Sequence, residues 1–248
     1  MLLELDHVAK THWVGPYEKR TLVDVSLTLA PGDFVGVWGG RRSGKSTLLR
    51  IAAGLDQPDN GHVRFDGRDL ATLSNARRGD LRLRQIGLML GSGPHSPEFT
   101  VCDYVALPLL ATHPRAKARG IAMAVLRRVG IVDCRDAHWH QLSDSERALA
   151  NAAHALVRLP RLLLADDPAP DLDPLQQDEV LTLLRAAAAQ DGLTVLMAAA
   201  SMTALASAHA AFVLADGELR PLRAQHDEHG EQDRQAQVID FPAGRQQA

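Results

Sequence analysis

The sequence predicts an α/β chain: an antiparallel β subdomain leads into a parallel-sheet core, and an α-helical subdomain is inserted into that core. Three observations carry the prediction. Apolar and polar residues alternate with period two over residues 2–8 and 22–29, the pattern of strands with one covered face. The apolar stretch Phe34-Val35-Gly36-Val37-Trp38 runs into a glycine-rich segment and then a helix-like one. Two continuous apolar runs, Leu162-Leu163-Leu164-Ala165 and Val195-Leu196-Met197-Ala198, mark strands covered on both faces, as parallel sheets require.

The elements follow in order. Pro31-Gly32-Asp33 makes a turn before the strand at 34–38. The next residues, Gly39-Gly40-Arg41-Arg42-Ser43-Gly44-Lys45-Ser46-Thr47, satisfy GxxxxGK[ST] in full, with a strand before and the helix-like Leu48-Leu49-Arg50-Ile51-Ala52-Ala53 after. This spacing is a P-loop, and it makes the core that of a P-loop NTPase. Backbone N–H groups wrap phosphates, Lys45 reaches the β/γ oxygens, and the Ser46 hydroxyl can ligate Mg²⁺. The helix opening at Lys45 turns its positive dipole end to the same anion. Asp59-Asn60-Gly61 is a turn, residues 62–67 one more hairpin strand, and residues 86–90 a short buried strand ended by Gly91-Ser92-Gly93-Pro94.

From about residue 100 to 160, Val101, Val105 and Leu109, then Ala122, Val125, Leu126 and Val129, recur at three- and four-residue spacing, which defines the helical subdomain. Residues 175–189 supply the helix between the two buried strands. Residues 1–222 are thus read as one domain. Residues 223–248 turn polar and hold too few apolar groups to order themselves, so they are read as a flexible tail.

Composition narrows the function classes. With 248 residues, 46% of them hydrophobic, the chain can bury one large core. No stretch approaches the ~20 apolar residues of a membrane helix. The start, Met1-Leu2-Leu3-Glu4-Leu5-Asp6, lacks a basic region followed by an apolar run, so a cytoplasmic chain without a signal peptide is expected. Cys102 and Cys134 share no metal-ligand spacing with each other or with His138 and His140, which points to reduced structural thiols. His95, His138 and His154 show no paired spacing either and read as surface or packing residues. The 27 basic residues are outnumbered by 30 acidic ones, which leaves no footprint for nucleic acid.

The P-loop, the helical insert and the acidic pair Asp166-Asp167 at the end of an apolar strand together resemble the ATP-binding subunits of ABC transporters over roughly residues 1–220. Within that superfamily the chain looks most like the lipoprotein-release and macrolide-export group. The residues that carry the finer placement are Gly54-Leu55-Asp56-Gln57-Pro58-Asp59-Asn60-Gly61, residues 100–110, and Val129-Gly130-Ile131-Val132-Asp133. The resemblance implies head-to-tail pairs, each ATP lying between the P-loop of one subunit and the signature motif of the other.

Around the chain's own nucleotide, the resemblance makes Asp166 the Walker B carboxylate that holds Mg²⁺ opposite Ser46. The glutamate that polarises the attacking water is replaced by Asp167. Its carboxylate is one methylene shorter, a misplacement that can cost on the order of 10²-fold in rate. Gly91 stands where the family has a Mg²⁺-contacting glutamine, and Ala200 where it has a histidine that touches the γ-phosphate; neither donates a side-chain hydrogen bond. The adenine-stacking aromatic falls at His12, with Trp13 adjacent. Arg42 replaces a frequent glycine, and Arg41 and Arg42 either add phosphate contacts or point to solvent.

Toward the partner's nucleotide, Leu142-Ser143-Asp144-Ser145-Glu146-Arg147 aligns with the LSGGQ signature and has lost both glycines. At about 4 Å and an effective dielectric of about 20, a carboxylate on Asp144 would repel an incoming phosphate charge by about 4 kcal/mol. Ser143-Asp144 can equally cap the following helix. Asp173 retains the D-loop aspartate that crosses the dimer interface. The resemblance therefore implies a subunit that binds Mg-ATP with weak or no hydrolysis of its own. It would pair with a second ATP-binding subunit, a heterodimer in preference to a homodimer, on permease subunits at the inner face of the cell membrane. The alternative is an ATP-gated regulatory or signalling module on a membrane protein that transports nothing. A DNA-linked ATPase of the same superfamily conflicts with the near-neutral charge, and kinase or GTPase readings leave the helical insert unexplained.

Overall fold

The computed structural model describes residues 1–90, 98–169 and 172–222. The Gly91 replacement, His95, Pro170, Asp171 and the tail at 223–248 lie outside the described residues.

Two sheets form the frame. In the first, β1 (Leu3–Val14) pairs antiparallel with β2 (Tyr17–Leu29) and with β4 (Asn60–Phe65), which pairs in turn with the two-residue β5 (Arg68–Asp69), giving the order β2-β1-β4-β5. Along β2, burial alternates from Val25 to Leu29, as the period-two pattern requires. The hairpin is longer than its alternation suggests. Its strands continue to a Gly15-Pro16 turn, and register shifts near Val8 and Lys10 break the period where the sequence signal fades.

The second sheet has the order β10-β9-β3-β8-β7-β6. Strands β3 (Phe34–Trp38), β6 (Ile86–Leu90), β7 (Leu162–Asp166), β8 (Thr194–Ala199) and β9 (Ala210–Ala215) run parallel, and β10 (Glu218–Pro221) closes the edge antiparallel to β9. Every residue of β8 and the first four of β7 are buried, which is why these strands read as unbroken apolar runs.

Six α-helices lie among the described residues: α1 (Lys45–Ala52), α2 (Asn75–Gln85), α3 (Val101–Ala106), α4 (Arg115–Arg128), α5 (Asp144–Leu156) and α6 (Pro174–Asp191). Helices α3, α4 and α5 build a separate apolar cluster from Val101, Val105, Ala122, Leu126, Leu149 and Ala153. Tyr104 ties it together: its ring stacks on His154 at 4.3 Å and its hydroxyl donates to Asn151 Oδ1 at 2.8 Å. Burial holds the His154 imidazole below the usual histidine value, so it packs as a neutral ring.

Helix α5 is anchored to the core sheet by a close approach at Gly87 of β6, where an added Cβ would lie 2.6 Å from the Ala155 carbonyl oxygen. Gly87→Ala is therefore expected to destabilise the fold by about 1–3 kcal/mol. Gly120→Ala, inside α4 with open space around it, is expected to stabilise by about 0.5–1 kcal/mol. Thermal unfolding of the two variants checks both signs.

Candidate nucleotide site

The site is assembled by strand register. Trp38 at the end of β3 lies beside Ala199 of β8, Ala198 of β8 beside Asp166 of β7, and Asp166 beside Leu90 of β6. The carboxyl ends of four parallel strands thus form one edge, where α/β sheets place ligands. The loop 39–44, Asp166, Asp167 and Ala200 all lie along it.

A pocket of about 270 Å³ opens on the loop and the start of α1, lined by Arg42, Ser43, Gly44, Lys45, Ser46 and Thr47, with His12, Lys19 and Thr21 contributed by the antiparallel hairpin. The backbone leaves no room for other residues at two of its glycines. Gly44 has φ 108°, and a Cβ there would lie 2.7 Å from the Thr21 carbonyl oxygen; one on Gly39 would lie 2.6 Å from the Leu214 carbonyl oxygen. Gly44 caps α1 without any side-chain hydrogen bond, and the first turn of α1 carries no acidic residue. The opening N–H groups therefore have no side chain competing with an anion.

Lys45 Nζ donates to the Gly39 and Gly40 carbonyls at 2.5 and 2.9 Å. Burial lowers its ammonium below the usual lysine value, against the opposing pull of Asp166 and Asp167. The Ser43 hydroxyl is buried with no hydrogen-bond partner. A cationic amine, free helix amides and an orphaned hydroxyl around a concave loop fit a polyphosphate, and the oxygen donors Ser46 and Asp166 are of the type a Mg²⁺ ion takes.

Lys19 was not legible as a site residue, because its signal is the cross-strand register. It opposes His12, and its Nζ donates to the Arg42 carbonyl at 3.0 Å, tying the hairpin to the loop. His12 Nε2 lies 3.5 Å from Thr47 Oγ1. Trp13, next along β1, does not line the pocket and is 70% exposed. Strand alternation turns it to the opposite face, while Tyr17, paired with Val14, shares a face with Lys19 and Thr21. Arg41 and Arg42 are both exposed; only Arg42 reaches the pocket lining, from a backbone at φ 62°. Asp167 also has a left-handed backbone, φ 49°, and its amide donates to the Ala198 carbonyl at 2.8 Å. Ala200 is exposed, and its carbonyl accepts from Trp38 Nε1 at 3.0 Å.

Residues 143–146 form a closed network at the start of α5. Ser143 Oγ accepts from the Glu146 amide at 3.3 Å and donates to Glu146 Oε2 at 2.8 Å, while the Ser143 amide donates to the same carboxylate at 2.8 Å. This is a capping box, and its Ser-x-x-Glu spacing is visible in the sequence. The expectation of a Ser143 cap understated it, because Glu146 is its other half. Ser145 Oγ lies 3.2 Å from Ser143 Oγ. Asp144 pairs with Arg147 at 2.9 Å, so the charge weighed above as a bare carboxylate has a counter-ion. Cys134 Sγ donates to the free Glu146 oxygen at 3.1 Å. Burial first, then that bond, pushes the thiol up to about 11. Asp173 accepts from the Leu175 and Gln176 amides and caps α6.

The family model for ABC transporters matches residues 22–170. The chain is 35% identical over 221 residues to the lipoprotein-releasing system ATP-binding protein LolD of Maricaulis maris, covering 89% of this chain and 96% of that one. It is 32% identical over 223 residues to the macrolide export ATP-binding/permease protein MacB of Syntrophobacter fumaroxidans, covering 89% of this chain but spanning only 31% of MacB. Among solved structures, the ATP-binding cassette MJ0796, a dimer in a post-hydrolysis state bound to ADP and Pi, superposes with a TM-score of 0.83 at 27% identity, over 90% of this chain and 98% of that one.

Three outcomes follow from this geometry. A left-handed backbone costs a non-glycine residue about 1–2 kcal/mol, part of which glycine returns as backbone entropy, so Arg42→Gly is expected to stabilise by up to about 1 kcal/mol in thermal unfolding. A thiol near 11 is on the order of 10⁻⁴ ionised at neutral pH, so Cys134 is expected to alkylate roughly a hundredfold more slowly than a peptide thiol. Glu146→Gln, which removes the neighbouring charge, is expected to speed that labelling, read by mass spectrometry.

Proposed function

The chain belongs to the ABC transporter family, and from that premise we propose that it holds Mg-ATP firmly while hydrolysing it slowly or not at all. The observation that carries the reading is a mismatch along one sheet edge: a complete phosphate cradle beside side chains that lack catalytic reach. Lys45, the free amides of α1 and the hydroxyls of Ser46 and Thr47 would bind and orient the phosphates, with Ser46 and Asp166 holding Mg²⁺ and His12 set against the base. Bound Mg²⁺ would neutralise phosphate charge. Asp167, short and on a left-handed backbone, is poorly placed to polarise a water, and Ala200 offers the γ-phosphate no side-chain donor.

The partner-facing surface supports the same reading. The single proton of the Ser143 hydroxyl is engaged by Glu146 of the same chain, so a phosphate arriving across a dimer must compete for it. Because a homodimer would carry these deficits in both sites, a second ATP-binding subunit with fuller motifs is the favoured partner, and Asp173 remains for the shared interface. Permease subunits would seat in a groove of about 280 Å³ between α2, β6 and the end of α5, where Leu83, Leu88, Pro108, His154 and Arg158 mix apolar and cationic surface. Such an assembly would put the chain at the inner face of the cell membrane.

The test compares nucleotide binding with turnover in the full chain. Binding is expected to survive, to be lost in Lys45→Ala, and to be accompanied by turnover far below the roughly 10 s⁻¹ common among enzymes. Asp167→Glu combined with Ala200→His is expected to raise turnover without tightening binding. Unmodified chain that alone turns over tens of ATP per second would overturn the proposal.

A further inference from the structure

Helix α2 is a wall between two clefts. Gly79, Arg82 and Leu83 face the groove just described, whereas Arg77, Asp80, Leu81 and Arg84, spaced by three and four residues, face a second cleft of about 430 Å³. That cleft shares no lining residue with the nucleotide pocket. Phe65, Leu73 and Leu81 contribute its apolar surface, and Arg68 and Arg161 enter from β5 and the start of β7.

Its charges are unevenly matched. Arg161 grips Asp66 with two hydrogen bonds, 3.0 and 3.2 Å, and Arg84 Nε donates to Asp80 at 2.6 Å. Both lining carboxylates are thereby engaged. Arg68 and Arg77 have no ion-pair partner among the described residues, and both are exposed. Four lining guanidinium groups, Arg68, Arg77, Arg84 and Arg161, therefore face two carboxylates, Asp66 and Asp80, an excess of positive charge in a chain whose net charge is −3. Two guanidinium forks over an apolar floor match the several oxygens of a tetrahedral phosphate, whether a singly charged diester or a more highly charged free phosphate, better than they match the two oxygens of a lone carboxylate.

We propose that this cleft binds a phosphate-bearing anion, from a phospholipid headgroup or from a soluble phosphate, with Arg68 and Arg77 as the contacting cations. Arg161 and Arg84, held by their aspartates, fix the walls. The site is independent of the nucleotide reading, and its test keeps the two apart by using the full chain with Lys45→Ala as background.

Sedimentation with phosphatidylcholine vesicles, with and without phosphatidylglycerol, probes the lipid source; calorimetric titration with inorganic phosphate probes the soluble one. Arg68→Gln with Arg77→Gln is compared with a charge-matched control, Lys117→Gln with Arg127→Gln, on the exposed surface of α4. Expected is at least a tenfold loss of affinity in the cleft double alone. A loss confined to anionic vesicles assigns a headgroup, and one seen with phosphate assigns a soluble anion. Equal losses in both doubles, or no binding of either probe by the parent, overturn the site. Thermal unfolding is followed in parallel, and Arg77→Gln alone replaces a cleft double that fails to fold.

Discussion

The register of four parallel strands is the constraint on which the remaining structure depends. Because β3, β8, β7 and β6 end in step, the loop after β3, the carboxylates at the end of β7 and the turn after β8 meet at one edge, where the Trp38 bond to the Ala200 carbonyl ties β3 to the turn after β8. Parallel ladders demand burial on both faces, and that demand explains why the strands are so apolar and why the chemistry is confined to their ends. The antiparallel hairpin adds a second support, through the Lys19 bond to the Arg42 carbonyl and the pocket face it shares with His12 and Thr21.

Two residues of the site sit in a backbone region that glycine normally fills. Arg42 and Asp167 both have positive φ, and both lie along the edge where the parallel strands end. Aspartate enters the left-handed region more readily than glutamate does, so the shorter carboxylate and the local backbone at 167 agree with each other. At Arg42 the conformational cost buys a cation on the pocket rim.

Much of this was legible in the residues themselves. The phosphate loop was readable because its spacing encodes a backbone shape, and β7 and β8 because unbroken apolar runs leave few alternatives. The helical subdomain followed from spacing at Val101, Val105 and Leu109. What escaped notice lacked a periodic signal. Helix α2 has no fully buried residue, hence little apolar stripe to detect; its start is marked by little more than the Ser74 cap. The β9–β10 hairpin is short, and apart from the buried Leu214 its residues are small or only partly buried. The Lys19 contact depends on which residue faces which across two strands, and the Arg68 and Arg77 cleft on elements far apart in sequence. The Ser-x-x-Glu spacing of the Ser143–Glu146 box is visible in the sequence, but the reciprocal bond from Glu146 needs the helix start to be in place.

Helix α5 has one end at the Ser143 box and the other against Gly87, beside the groove lined by Pro108 and Arg158. Thirteen helical residues make a rod about 20 Å long. The far end is seated against the backbone at Gly87. A tilt of about 5° about that contact would swing Ser143 through about 2 Å, the scale that separates a formed hydrogen bond from a broken one. The close packing of one glycine thus links the two ends of α5, so that a displacement at the groove would be felt at Ser143.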